Sequence, residues 1–113
     1  MDGILVLPLK YQESIVNYMP SPDMLIKLAN FFSVFGDVTR IKILTALCIS
    51  DMCVNDLSIM LRLNQTTVSH QLKNLRQCGI VAATRQGKIV YYKLTNQAIN
   101  DIMLNGVNYL MAN

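Results

Sequence analysis

Apolar residues recur at helical spacing through most of this chain, interrupted by one stretch of strict alternation. Met24, Leu25, Leu28, Phe31, Phe32 and Phe35 follow Ser21-Pro22-Asp23. That tripeptide supplies a capping hydroxyl, a proline suited to the first helical position and an acid in the first turn. Gly36 predicts the end of this helix, and Asp37 predicts the cap of a second one with Ile41, Leu44 and Leu47 on one face. Ser50-Asp51-Met52-Cys53 breaks the repeat, and Val54, Leu57 and Leu61 mark a short third helix. Leu63-Asn64 predicts a turn before a longer helix, on which Val68, Leu72 and Leu75 make one narrow apolar stripe. After Cys78-Gly79 the pattern alternates: Val81, Ala83 and Arg85, a turn at Gln86-Gly87, then Val90, Tyr92 and Leu94. Thr95 or Asn96 starts a final helix with Ile99, Ile102, Met103 and Leu110 on one face and Gly106 beneath them.

Two short helices joined by a tight turn, the second polar outward and followed by a hairpin, predict a winged helix-turn-helix. The fold class is mostly α with a small β-hairpin. One domain is expected over 1–113, with an N-terminal arm or helix at 1–20, the helix-turn-helix at 54–78, the wing at 80–94 and a dimerisation helix at 96–112.

The helix carrying the Val68, Leu72 and Leu75 stripe is the most informative segment. Thr66, Ser69, His70, Lys73 and Arg76 share its other face. Hydroxyl, imidazole and cationic groups without a carboxylate suit phosphates and base edges. An isolated helix of this kind could equally be a solvated face, so the decision rests on what surrounds it. Between Leu57 and Asn100 there is no Asp or Glu, whereas Arg62, Lys73, Arg76, Arg85, Lys88 and Lys93 are all present. The whole chain carries only +3, so the basic charge is concentrated where a polyanion would be met. The expected DNA-binding residues are Gln65, Thr66, Thr67, Ser69, His70 and Gln71 in the major groove. Lys73, Arg76, Arg85 and Lys88 are expected on phosphates or, at the wing, the minor groove.

Composition adds three constraints. Hydrophobic residues make up 52% of 113 residues, more than one small core can bury, and a dimer interface accounts for the excess. No run reaches the roughly 18 apolar residues of a membrane span, and Met1-Asp2-Gly3-Ile4-Leu5-Val6-Leu7-Pro8 is a poor signal peptide. A cytoplasmic protein without a membrane partner is expected. Three cysteines, Cys48, Cys53 and Cys78, do not make a disulfide framework. Cys48 and Cys78 are expected to pack as small buried hydrophobes.

Three segments, in order and at matching spacing, resemble the ArsR/SmtB family of winged-helix repressors from about Leu25 to Leu110. They are Phe35-Gly36-Asp37-Val38-Thr39-Arg40-Ile41-Lys42-Ile43-Leu44, then Val68-Ser69-His70-Gln71-Leu72-Lys73-Asn74-Leu75, then Gly87-Lys88-Ile89-Val90-Tyr91-Tyr92-Lys93-Leu94. The resemblance implies a homodimer built by the first and last helices, which binds an inverted-repeat operator and releases it when an inducer binds. Many such repressors hold thiophilic metals at a Cys-x-Cys. The matching positions here are Cys53 and Asn55, and an amide is a weak ligand. Others bind zinc on the last helix at positions that fall here on Asn96, Ala98, Tyr109 and Ala112, which lack the four donors a zinc site needs. No metal and no cofactor are therefore expected. Cys53, just ahead of a helix N-terminus that favours a thiolate, is a candidate sensor thiol with Cys48 as its possible partner. An inert Cys53, or a regulator with no small-molecule signal, stays open.

The leading expectation is a sequence-specific repressor on double-stranded DNA. The alternative is a winged-helix protein-interaction module without DNA binding. An enzyme is disfavoured by a single histidine, the absence of paired acids and the lack of a phosphate-binding glycine loop.

Overall fold

Short polar side chains set four helix starts. Ser21 Oγ accepts from Met24 N at 3.2 Å, Asp37 from Arg40 N at 2.9 Å, Asn64 from Thr67 N at 2.7 Å, and Asn96 from Ala98 N at 2.8 Å. Each satisfies an amide that has no partner within the helix. The computed structural model describes residues 3–112. They form α1 (Leu9–Tyr18), α2 (Pro22–Ser33), a 3₁₀ turn (Val34–Gly36), α3 (Val38–Ile49), α4 (Val54–Leu61), α5 (Gln65–Gln77), β1 (Val81–Gln86), β2 (Ile89–Leu94) and α6 (Gln97–Met111).

The chain divides into two units, one ending at Asn30 and one beginning at Phe31. The first holds α1 and most of α2. None of its described residues is buried, although Leu9, Ile15, Val16, Met24, Ile26 and Leu28 are apolar.

The second unit has one core. Val34, Ile43, Leu44, Leu47, Leu57, Val68, Leu72, Leu75, Ile80, Val81 and Ile99 are buried together. All three residues expected on the stripe of α5 belong to it. On α3 the expected Ile41 is only half-buried, and Ile43 is buried completely instead. The reason is that α3 packs against α4, α6, β2 and the 3₁₀ turn, so its buried arc is wider than one stripe and takes adjacent residues Ile43 and Leu44. Arg40 braces the start of α3, donating from Nε to the Val34 carbonyl at 3.0 Å and from Nη2 to the Ser33 carbonyl at 3.3 Å.

Between α4 and α5, Arg62 takes the left-handed conformation with φ 56°, and the Ser58 hydroxyl donates to the Leu63 carbonyl. The end of α5 is a paired closure: Gly79 N donates to Arg76 O at 3.0 Å and Ile80 N to Leu75 O at 2.9 Å. This Schellman arrangement needs a positive φ at its first residue past the cap, and Gly79 has φ 76°. Leu75 and Ile80 meet in the core across it.

Strands β1 and β2 are antiparallel, from Val81 opposite Leu94 to Gln86 opposite Ile89. The turn is Gly87-Lys88, one residue later than expected. Gln86 remains paired because a two-residue turn with glycine first, here at φ 64°, matches the twist of the strands. At the other end Thr95 Oγ1 donates to the Gly79 carbonyl at 2.7 Å. Met52 and Tyr92 exchange backbone hydrogen bonds of 3.1 and 2.9 Å, tying the segment before α4 to the hairpin. On α6 Ile99 is buried, whereas Leu104, Val107, Tyr109, Leu110 and Met111 are exposed.

Candidate nucleic-acid interface

Because Asn64 caps α5, Gln65 and Thr66 lie in its first turn, and both are exposed. Gln65, Thr66, Ser69, His70 and Lys73 line one shallow groove on this helix. The groove holds two hydroxyls, an amide, an imidazole and an ammonium, with no carboxylate. Such a set can donate to phosphate oxygens and both donate to and accept from base edges.

Gln65 also borders a second cleft, between the start of α4 (Cys53, Asn55, Asp56) and the hairpin from Lys88 to Tyr92. Within it, Gln65 Nε2 donates to Asn55 Oδ1 at 3.0 Å. The wing-tip cation Lys88 and the first residue of α5 thus line one cleft, with Asp56 as its one carboxylate. Arg76, in the last turn of α5, and Arg85, opposite Val90 in the hairpin, are exposed but line neither feature.

Two expected contact residues sit differently. Thr67 and Gln71 are half-buried, and Gln71 Oε1 is buried with no hydrogen-bond partner among the described residues. The cause is helical phase. Gln71 lies three residues after Val68 and four before Leu75, on the shoulder of the apolar stripe, and Thr67 is one turn earlier on that shoulder. Sequence reasoning treated Asn55 only as a weak metal ligand. Its bond to Gln65 crosses the turn between two helices, where no periodicity reports on contact.

The cysteines are dispersed. Cys78, expected inside, is exposed at the C-cap of α5, beyond the last core residue of that helix. Cys48 is half-buried, and burial pushes its thiol pKa up, which keeps it protonated at neutral pH. It lines a cleft with Asp51, Lys93 and Asn96, whereas Cys53, the cap residue of α4, lines the cleft of Lys88. The two thiols expected as possible partners thus belong to different clefts. Among the described residues, no three of His, Cys, Asp and Glu group closely enough to hold a metal ion. Under limiting alkylating reagent at neutral pH, Cys78 is expected to react first and Cys48 last, read by peptide mass spectrometry. Early labelling of Cys48 would contradict its burial.

A polar, carboxylate-free helix held as the second of a helix-turn-helix and followed directly by a two-stranded hairpin defines the winged helix-turn-helix class. Residues 37–83 match the family described as bacterial regulatory protein, arsR family. Over 106 residues the chain is 31% identical to the transcriptional repressor SmtB homolog of Synechocystis, covering 91% of this chain and 80% of that one. It is 36% identical over 83 residues to the cadmium resistance transcriptional regulatory protein CadC of Listeria innocua, covering 73% and 70%. The crystal structure of M. tuberculosis Rv0081 superposes with a TM-score of 0.73 at 30% identity, covering 82% of this chain and 93% of that one. The chain belongs to the ArsR/SmtB family, whose members are DNA-binding transcriptional repressors. No helix among the described residues is long and apolar enough to cross a membrane.

Proposed function

We propose that this protein represses transcription from the cytoplasm as a homodimer on an inverted-repeat operator in double-stranded DNA. In this reading α5 enters the major groove and the hairpin lies over the flanking backbone. The observation that carries it is the shared groove of Gln65, Thr66, Ser69, His70 and Lys73, with Gln65 also bordering the cleft that Lys88 lines. Ser69, His70 and the first turn of α5 read bases. Thr67 and Gln71 act from the shoulder of the helix, and Lys73, Arg76, Arg85 and Lys88 hold phosphates or the minor groove. The exposed apolar residues of α1 and α2, and those on the second half of α6, are the surfaces a second copy would cover. Cys53 is the thiol whose modification would be felt closest to the DNA face, since it shares a cleft with Gln65 and Lys88.

The test separates residues by kind. Lys88→Ala or Arg85→Ala is expected to weaken all sequences alike and to flatten the salt dependence by about one unit per lost phosphate contact. Ser69→Ala or His70→Ala is expected to relax discrimination instead, by about 1–3 kcal/mol for a lost base contact. Fluorescence anisotropy on matched and mismatched duplexes distinguishes them. A reversed result, with Lys88→Ala altering sequence preference and His70→Ala not, would exchange the roles of wing and helix.

A further inference from the structure

Asn55 is the second residue of α4 and Gln65 the first of α5, and both are exposed. An unrestrained glutamine at such a place samples many rotamers, and ordering it only on DNA would cost affinity. Here Nε2 donates to Asn55 Oδ1 at 3.0 Å, which consumes one of two N–H groups. The other N–H and Oε1 stay open. Bidentate contact with adenine requires one amide N–H on N7 and the amide oxygen on N6–H, and Gln65 keeps one of each. Gln65 also borders the groove of Thr66, Ser69, His70 and Lys73, so the held amide belongs to the surface read as the base-contacting one.

We propose that Asn55 is a positioning residue for sequence readout: its side-chain oxygen holds Gln65 so that Oε1 and the remaining N–H of Gln65 engage an adenine of the operator. An A·T pair at that step becomes a determinant of specificity. An amide at position 55 does this without charge, whereas a carboxylate would supply the same acceptor and repel phosphate. The inference rests on α5 being the recognition helix.

The probe is a duplex that the wild-type protein retains from a randomised double-stranded pool. Each adenine is replaced in turn by 7-deazaadenine, which lacks the N7 acceptor, or its A·T pair by G·C. At one step per half-site the wild type is expected to lose roughly 5- to 150-fold in affinity on the G·C change, and part of that on the deaza change. Gln65→Ala should lose this discrimination, and Asn55→Ala should approach Gln65→Ala while keeping the wild-type salt slope. The double variant should be no worse than Gln65→Ala alone. Asn55→Asp, which keeps the acceptor, should restore the discrimination ratio even though its charge weakens binding to every duplex. If Asn55→Ala retains full discrimination, or adds its whole effect in the Gln65→Ala background, Asn55 does not act through Gln65 and the inference fails while the repressor reading stands. A wild-type protein that retained no duplex would overturn both.

Discussion

Leu72→Ala is expected to cost about 2–5 kcal/mol of folding stability, the range for removing a large aliphatic side chain from a packed interior. Leu72 is completely buried, as are Val68 on the turn before it and Leu57 of α4, and α4 and α5 pack against each other. A void there has neighbours on both helices of the motif, and the caps and closure of α5 limit how far it can collapse. Since a domain of this size holds only about 5–15 kcal/mol in total, the variant should unfold at least several degrees lower, and DNA binding should fall with the folded fraction. Thermal unfolding by circular dichroism at fixed protein concentration is the measurement. Val38→Ala, at a position 73% exposed, should stay within about 0.5 kcal/mol of the wild type. A cost below about 1 kcal/mol for Leu72→Ala would mean that α5 is not anchored by this stripe.

The second large effect is expected from salt. Lys73, Arg76, Arg85 and Lys88 are all exposed, and the proposed homodimer, with each of them on a phosphate, would make eight backbone contacts. Counterion release then predicts a slope of log K against log salt near −7, and a loss of roughly ten-thousandfold between 50 and 200 mM salt. A monomer with the same four contacts would give about half that slope. The titration therefore tests the dimer and the contact set together, and sedimentation equilibrium on the same sample fixes the mass. Binding indifferent to salt would favour the protein-interaction module over the repressor.

Much of this fold was legible because polar and apolar signals agreed. Asp37 announced the start of α3 by residue type, the turn at Leu63-Asn64 preceded α5 and the start of α6 lay at Thr95 or Asn96; Asp37, Asn64 and Asn96 each proved to hold an amide of the first turn. Val68, Leu72 and Leu75 fixed the inward side of α5, and with it the outward side. What stayed hidden depended on tertiary surroundings. Ile43 displaced Ile41 because α3 has neighbours on several sides. Thr67 and Gln71, expected on the outward face, proved half-buried because a binary pattern does not say how wide a buried arc will be. The turn at Gly87-Lys88 slipped by one residue, since the position of a positive φ decides which pair closes the hairpin. Nothing in the sequence joined Asn55 to Gln65, ten residues apart across a break in period.

The closure of α5 bears on how repression could be relieved. From Leu75 to Ile80 the helix end is fastened by two backbone bonds and a core contact, and the first strand of the hairpin begins at the next residue. Thr95 fastens the return strand to the same junction. In the proposed reading, the two elements of a protomer that meet DNA are joined at one junction by these three hydrogen bonds. For the homodimer proposed above, a signal that changed the span between the two copies of this junction would act on the half-site spacing, which the turn of the DNA helix sets.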